Sequence, residues 1–202
     1  MTVYIFDMGG VVACNTDVFP DVFAHLDITG EQFSTFSGQD LQKLFTGKVT
    51  PDEFWRSFSA RYGQKVEEEL FSKFFNPTMD QGVTKIIIQL KIYSRVVCGT
   101  NAFEPHYDYL MSRGCYDIFD AVFASNKIGL SKPHPDFYRY ILKKEGITPE
   151  DAIFVDDMAE NVYAARKLGL TSILYTDSQS LAQQLKACKI LVKRTAQPSD
   201  DR

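Results

Sequence analysis

Five short apolar runs punctuate the chain, at residues 3–7, 96–99, 121–124, 152–155 and 171–175. They are rich in Val, Ile, Phe and Ala, and most stop at a polar or turn residue. That pattern predicts buried strands. Helical patterns lie between them, at residues 82–91, 104–113, 136–145 and 160–168, with a last one at 181–188. Alternating strands and helices, with the strands apolar almost throughout, predict an α/β fold: a parallel sheet covered on both faces.

One long segment departs from this rhythm. Between Thr16 and Met79 no strand pattern stands out, and helical patterns dominate. Thr50-Pro51-Asp52-Glu53 has the composition of a helix start, with a Thr cap, Pro in the first turn and Glu three positions on. Phe54, Trp55, Phe58 and Tyr62 follow at helical spacing, and Phe71, Phe74 and Phe75 repeat the pattern. An aromatic stripe of this kind predicts a small helical core. The expected organisation is a sheet domain of residues 1–14 and 80–192, interrupted by a helical domain of residues 15–79. The polar stretch 193–202 is expected to be a disordered tail.

Composition narrows the function. Of 202 residues 45% are apolar, enough for a sizeable core. Lys and Arg number 22 against 26 Asp and Glu, for a net charge of −4. No basic excess marks a nucleic-acid surface. The most apolar stretch, residues 3–14, is interrupted by Asp7 and is shorter than the roughly 18 residues a membrane span needs. It also lacks the basic leader of a signal peptide. The four cysteines (Cys14, Cys98, Cys115, Cys188) have no paired spacing, which suits buried thiols in a reducing compartment. A cytoplasmic protein is expected, with no membrane and no nucleic-acid partner.

In open parallel sheets ligands bind at the carboxyl ends of the strands. The polar residues at those ends are Asp7, Thr100-Asn101, Lys132 beyond the third strand, and Asp156-Asp157. Singly, each is ordinary loop or cap chemistry. Together, at one end of four successive strands, they form a set suited to phosphoryl transfer. A carboxylate such as Asp7 can attack phosphorus and form an aspartyl-phosphate. Two anions approach only with a cation between them, and Mg²⁺ held by Asp7 and Asp156 would serve. Lys132 would neutralise phosphoryl oxygens, while the Thr100 hydroxyl and a backbone N–H near Asn101 would hydrogen-bond them. The histidines His25, His106 and His134 have no metal-pair spacing.

Four stretches carry a resemblance to the haloacid dehalogenase superfamily, in its branch with a helical cap after the first motif. They are Phe6-Asp7-Met8-Gly9-Gly10-Val11-Val12, Cys98-Gly99-Thr100-Asn101, residues 127–135 with Gly129-Leu130-Ser131-Lys132-Pro133, and Phe154-Val155-Asp156-Asp157 through Asn161 to Gly169. The resemblance implies a Rossmann-like core with an inserted cap, and Mg²⁺-dependent hydrolysis of phosphate monoesters. It makes Asp7 the nucleophile. The Gly9 carbonyl and Asp156 complete the metal ligands, and Thr100, Asn101 and Lys132 hold phosphate. Asp157 becomes a further metal-ligating or lysine-orienting carboxylate.

Gly9 departs from the family pattern. Phosphatases of the superfamily carry a second Asp there, which protonates the leaving group, and general acid help is worth typically 10²–10⁴-fold. Its loss leaves three outcomes: an ester that needs little protonation, such as an anomeric sugar phosphate; a proton from another residue or from water; or a catalytically feeble protein. The first fits best, because the first motif resembles that of sugar-1-phosphate phosphatases. The expected partner is a small phosphorylated metabolite, bound by a monomer or weak homodimer. Two rivals stand beside this reading. One is a non-catalytic binding or regulatory protein on the same fold. The other is a 2-haloacid dehalogenase, whose apolar halide pocket would have little use for Asp156-Asp157. Contacts to the substrate are expected from Asn15, Asp17, Lys48, Trp55 and Arg56, and an inward Arg or Lys would favour a second anionic group on it.

Overall fold

The computed structural model describes residues 2–187. Its elements are β1 (Val3–Phe6), β2 (Ala13–Cys14), α1 (Phe19–Leu26), α2 (Gly30–Ser37), α3 (Asp40–Phe45), α4 (Pro51–Tyr62), α5 (Leu70–Phe74), β3 (Thr78–Met79), α6 (Gln81–Lys91), β4 (Arg95–Thr100), α7 (Glu104–Ser112), β5 (Ala121–Ala124), α8 (Ser125–Ile128), α9 (Pro135–Glu145), β6 (Ala152–Asp156), α10 (Ala159–Lys167), β7 (Thr171–Leu174) and α11 (Ser178–Ala187). Five strands pair in parallel in the order β5-β4-β1-β6-β7. This is the Rossmann-like α/β sheet that the apolar runs predict.

The strands are apolar throughout because helices cover both faces. Side chains alternate along β1. Tyr4 and Phe6 enter one core with Val96, Cys98, Ile153 and Val155. Val3 and Ile5 enter the other with Val97, Phe123, Phe137, Ile141 and Phe154. Gly99 sits on this second face, where a Cβ would lie 2.9 Å from Ile5 Cγ2 and 3.0 Å from Ile141 Cδ1. Helix α9 therefore seats directly on the β4 backbone.

The segment between β2 and β3 is helical, and its start signals hold. Thr50 Oγ1 accepts from the Glu53 N–H at 3.2 Å, and Glu53 Oε2 accepts from the Thr50 N–H at 2.8 Å. This reciprocal pair satisfies two otherwise orphan donors of α4. Phe33, Phe54, Phe58 and Phe71 are buried against one another, with ring centroids 5.2–6.4 Å apart in successive pairs. The aromatic stripe is thus a packed core.

One expectation needs correcting. A strand does occur in the segment, at Thr78–Met79, antiparallel to Ala13–Cys14. Two-residue strands pair through backbone groups and leave no side-chain periodicity to read. The pair fastens the entry and exit of the helical layer beside the carboxyl end of β1. Cys188 and residues 193–202 lie outside the described residues. Among the described residues, no helix is long and apolar enough to cross a membrane.

The Gly99 contact generates a stability prediction. Gly99→Val should force Ile5 and Ile141 apart and destabilise the protein by about 1–3 kcal/mol. Urea unfolding should show a lower midpoint at unchanged slope. An unshifted midpoint would mean that α9 yields freely.

Candidate active site

The site grows from the ends of the central strands. Asp7 follows β1, Thr100 ends β4, and Asp156 ends β6, and β1 pairs with both β4 and β6. Parallel register therefore delivers these side chains to one edge of the sheet. The backbone N–H of Asp7 donates to the Val155 carbonyl at 2.9 Å, extending the pairing one residue past β1. Asp7 Oδ1 accepts from the Met8 N–H at 2.7 Å.

Lys132 arrives from the loop after α8. Its Nζ lies 2.8 Å from Asp7 Oδ2 and 2.7 Å from Asp156 Oδ2. All three residues are buried, and Asp156 is fully so. Asn161 Nδ2 and the Met158 N–H both donate to Asp156 Oδ1, at 2.9 and 2.8 Å. Asp156 thus ties the entry to α10 with one oxygen and holds the lysine with the other. Asn161, reached one turn into α10, is a supporting residue whose role has no motif of its own.

Asn101 uses its side-chain amide on the lysine loop. Its Oδ1 accepts from the Lys132 N–H, and its Nδ2 donates to the Lys132 carbonyl, both at 2.9 Å. The amide is committed to the Lys132 backbone, so it places the lysine. Ser125 Oγ accepts from the Ala102 N–H at 3.0 Å, fixing the turn that carries Thr100 and Asn101. Gln42 Nε2 donates to Ser131 Oγ at 2.7 Å, tying α3 to the lysine loop.

Asp157 is the third carboxylate and is half-buried. Asp7, Asp156 and Asp157 offer oxygens within 4.8 Å of one another. Gly10 makes room for this. It sits at φ +72°, and a Cβ there would collide with the Asp157 carboxylate. At Gly9, a Cβ would lie 3.0 Å from Thr16 Oγ1. The threonine hydroxyl occupies the space into which a side chain at position 9 would grow.

Charge is out of balance in this cluster. Burial pushes the Asp7 pKa up to about 7; Lys132 opposes the rise, and Asp156 adds to it. Burial likewise raises Asp157, with Asp156 adding to it. Burial works against the Lys132 charge, yet Asp7 and Asp156 hold its pKa above the ordinary lysine value. Three carboxylates around one ammonium leave room for a further cation.

Above the cluster opens a cavity of about 630 Å³. Asp7, Gly9, Thr100, Asn101 and Asp157 line one side. Asn15 and Asp17 line it too, as expected from the sequence. Lys48, Trp55 and Arg56 do not. Lys48 is exposed, and Trp55 and Arg56 border a separate hollow of about 400 Å³ beside Glu67, Glu68 and Glu69. Helical phase explains the correction: the face of α4 that bears Trp55 and Arg56 turns away from the sheet edge. His106 was missed in the sequence and reaches the cavity from α7. Its ring stacks on Phe75 at 3.7 Å, and Nε2 lies 2.9 Å from the Phe71 carbonyl.

Deprotonation of Asp7 has a stability consequence. The unfolded chain loses this proton near 3.8, the folded protein near 7. The folded state binds the extra proton between these values, so this contribution is complete below about 3.8 and is lost as pH rises through 7. Asp7→Asn has no such proton to lose. In EDTA, its stability relative to the wild type should rise from pH 5 to about pH 7 in thermal unfolding and level off above that. A constant difference across that range would refute the raised pKa.

Known proteins share this architecture. A family model described as haloacid dehalogenase-like hydrolase matches residues 4–175. The sesquiterpene phosphatase astK of Aspergillus oryzae is 29% identical over 188 residues, covering 90% of this chain and 93% of that protein. D-ribitol-5-phosphate phosphatase of Bacteroides thetaiotaomicron is 23% identical over 196 residues, covering 90% and 95% respectively. Among solved structures, a haloacid dehalogenase family enzyme of Bacteroides thetaiotaomicron, in complex with magnesium and inorganic phosphate, matches with a TM-score of 0.71. It is 19% identical and covers 90% of this chain and 98% of that one.

Proposed function

The chain belongs to the haloacid dehalogenase-like hydrolase family, and from that premise we propose that it is a Mg²⁺-dependent phosphatase acting on a small phosphate monoester through Asp7. The observation that carries this reading is the buried Lys132 between Asp7 and Asp156, with Asp157 in reach, beneath an open cavity. A phosphoryl group needs positioning and charge neutralisation more than covalent chemistry from the protein.

The residues fit a divalent cation. Hard carboxylate oxygens of Asp7, Asp156 and Asp157 converge within 4.8 Å, and Lys132 balances only one of the three charges. These three carboxylates and the Gly9 carbonyl would hold the cation. When bound, Mg²⁺ would screen the Asp7 carboxylate from the phosphate dianion.

The protein's own groups then divide the work. An Asp7 oxygen attacks phosphorus, the ester P–O bond breaks, and the alcohol leaves. Water then attacks the aspartyl-phosphate at phosphorus, releasing inorganic phosphate and restoring Asp7. Lys132 and the Thr100 hydroxyl stabilise the transferring oxygens. Asn101 and Asn161 hold Lys132 and Asp156 in place. Gly9 supplies no proton, so the departing oxygen takes one from water in the cavity. The helical layer of residues 15–79 acts as a cap, excluding bulk water when substrate is bound.

The metal-dependent reading is favoured over a dehalogenase. A halide-releasing site needs no third carboxylate, and unbalanced Asp156 and Asp157 would repel a carboxylate substrate. The named substrates of the two curated relatives differ widely, one a sesquiterpene and the other a sugar alcohol phosphate. They share the phosphate, and they leave the alcohol open. Gly9 taken alone would suit a sugar 1-phosphate, whose alcohol leaves readily; the alcohol itself is selected by the lining of the cavity.

Phosphate release from p-nitrophenyl phosphate and hexose phosphates, with Mg²⁺ and with EDTA, tests the reading. Turnover should require Mg²⁺ and vanish in Asp7→Asn. Gly9→Asp combined with Thr16→Ala, which clears the space, should speed poor leaving groups by about 10²-fold or more and leave p-nitrophenyl phosphate nearly unchanged. Metal-independent turnover, or full activity in Asp7→Asn, would refute the mechanism.

A further inference from the structure

The alcohol half of the substrate must lie in the cavity above Asp7, so the lining of that cavity selects it. The polar lining belongs to the sheet edge and to the loop carrying Asn15, Thr16 and Asp17. The opposite wall is apolar: Val18, Phe19, Phe45, Phe75, Phe103 and Leu110. It is also stiff. Phe103 stacks between Phe45 and Phe71, with both centroid distances 4.4 Å. Leu110 and Phe103 are almost wholly buried beneath it.

Among the described residues, no lysine or arginine lines this cavity. His106 is no substitute for one. Burial lowers its pKa, and its Nε2 is engaged with the Phe71 carbonyl. The Tyr116 hydroxyl, also on this side, is closed off by its neighbours. A second phosphate or carboxylate on the substrate would therefore meet aromatic rings and the Asp17 carboxylate. Sugar hydroxyls laid against the apolar wall would lose water without gaining partners, which costs free energy for every group left unpaired. Aliphatic carbon against the same rings loses nothing.

We infer that the cavity takes a phosphate monoester of an uncharged aliphatic alcohol, alkyl or isoprenoid in kind, with its chain lying along the Phe45–Phe103–Leu110 wall. The inference rests on the phosphatase reading for the place of the phosphate, and it deepens that reading by naming the alcohol. The volume suits it: about 630 Å³ lies within the usual range for sites that bury most of a small ligand. Phe45 is the selecting residue on the helical side, half-buried and reached from α3.

Binding and turnover separate the two claims. Titration calorimetry on Asp7→Asn, in Mg²⁺, would use butyl, hexyl, octyl and decyl phosphate, then farnesyl monophosphate and glucose 1-phosphate. Affinity should rise about three- to fourfold per added methylene until the wall is covered. Glucose 1-phosphate should bind no better than butyl phosphate. Phe45→Lys should flatten the chain-length dependence, and Phe45→Leu should keep most of it. In parallel, p-nitrophenyl phosphate turnover by the wild type reports on the phosphatase reading alone. A steep chain-length dependence without turnover would uphold the apolar site and refute the phosphatase. Turnover with no chain-length dependence, or with glucose 1-phosphate bound more tightly than decyl phosphate, would overturn the inference and leave the phosphatase standing. Absence of both would overturn both.

Discussion

A lysine ammonium buried between two aspartates is the constraint around which this protein is arranged. Lys132 Nζ is within 2.8 Å of both Asp7 and Asp156, and all three are buried, with only Asp7 reaching the cavity. Removing such ions from water costs several kcal/mol each, and the attraction offsets this only where geometry is fixed and the remaining lone pairs are satisfied. Much of the local structure provides that fixing. Asn101 clamps the Lys132 backbone from both sides. Asn161 and the Met158 N–H occupy the free oxygen of Asp156. Parallel pairing of β1 with β6 sets the spacing between the two carboxylates.

The cluster remains short of positive charge, and that shortage connects structure to chemistry. Asp157 adds a third carboxylate, admitted only because Gly10 has no side chain. On the proposed reading, a divalent cation and a phosphate dianion would be accepted together, the cation offsetting repulsion that the protein leaves in place. Stability is given up locally to obtain this, as is common where strained or repelling groups carry function. Burial, with Asp156 adding to it, raises the Asp7 pKa in this cluster.

Much of this was legible in the sequence because the relevant signals are local. Strand runs ending in Asp7, Thr100 and Asp156 place chemistry at one edge as soon as the sheet is parallel, and the Thr50–Glu53 capping box marks α4. Other features depend on distance in space. The pairing of Ala13–Cys14 with Thr78–Met79 joins segments separated by the whole helical layer. The motif marks a backbone N–H near Asn101 for phosphate, and only the fold reveals the Asn101 side-chain amide turned to Lys132. Trp55 and Arg56 lie in the right segment but on the wrong helical face. Phe45 from α3, Phe75 just past α5 and His106 from α7 meet on the cavity, a convergence that no local pattern announces.

The most direct measurement is to look for the covalent step itself. The protein would be mixed with Mg²⁺ and excess phosphate ester, quenched in acid during turnover, digested and weighed by mass spectrometry. One phosphoryl group should appear on the peptide containing Asp7, and it should be absent in EDTA and in Asp7→Asn. Rapid phosphate release with no phosphoryl group on that peptide, or with one on another residue, would contradict nucleophilic attack by Asp7.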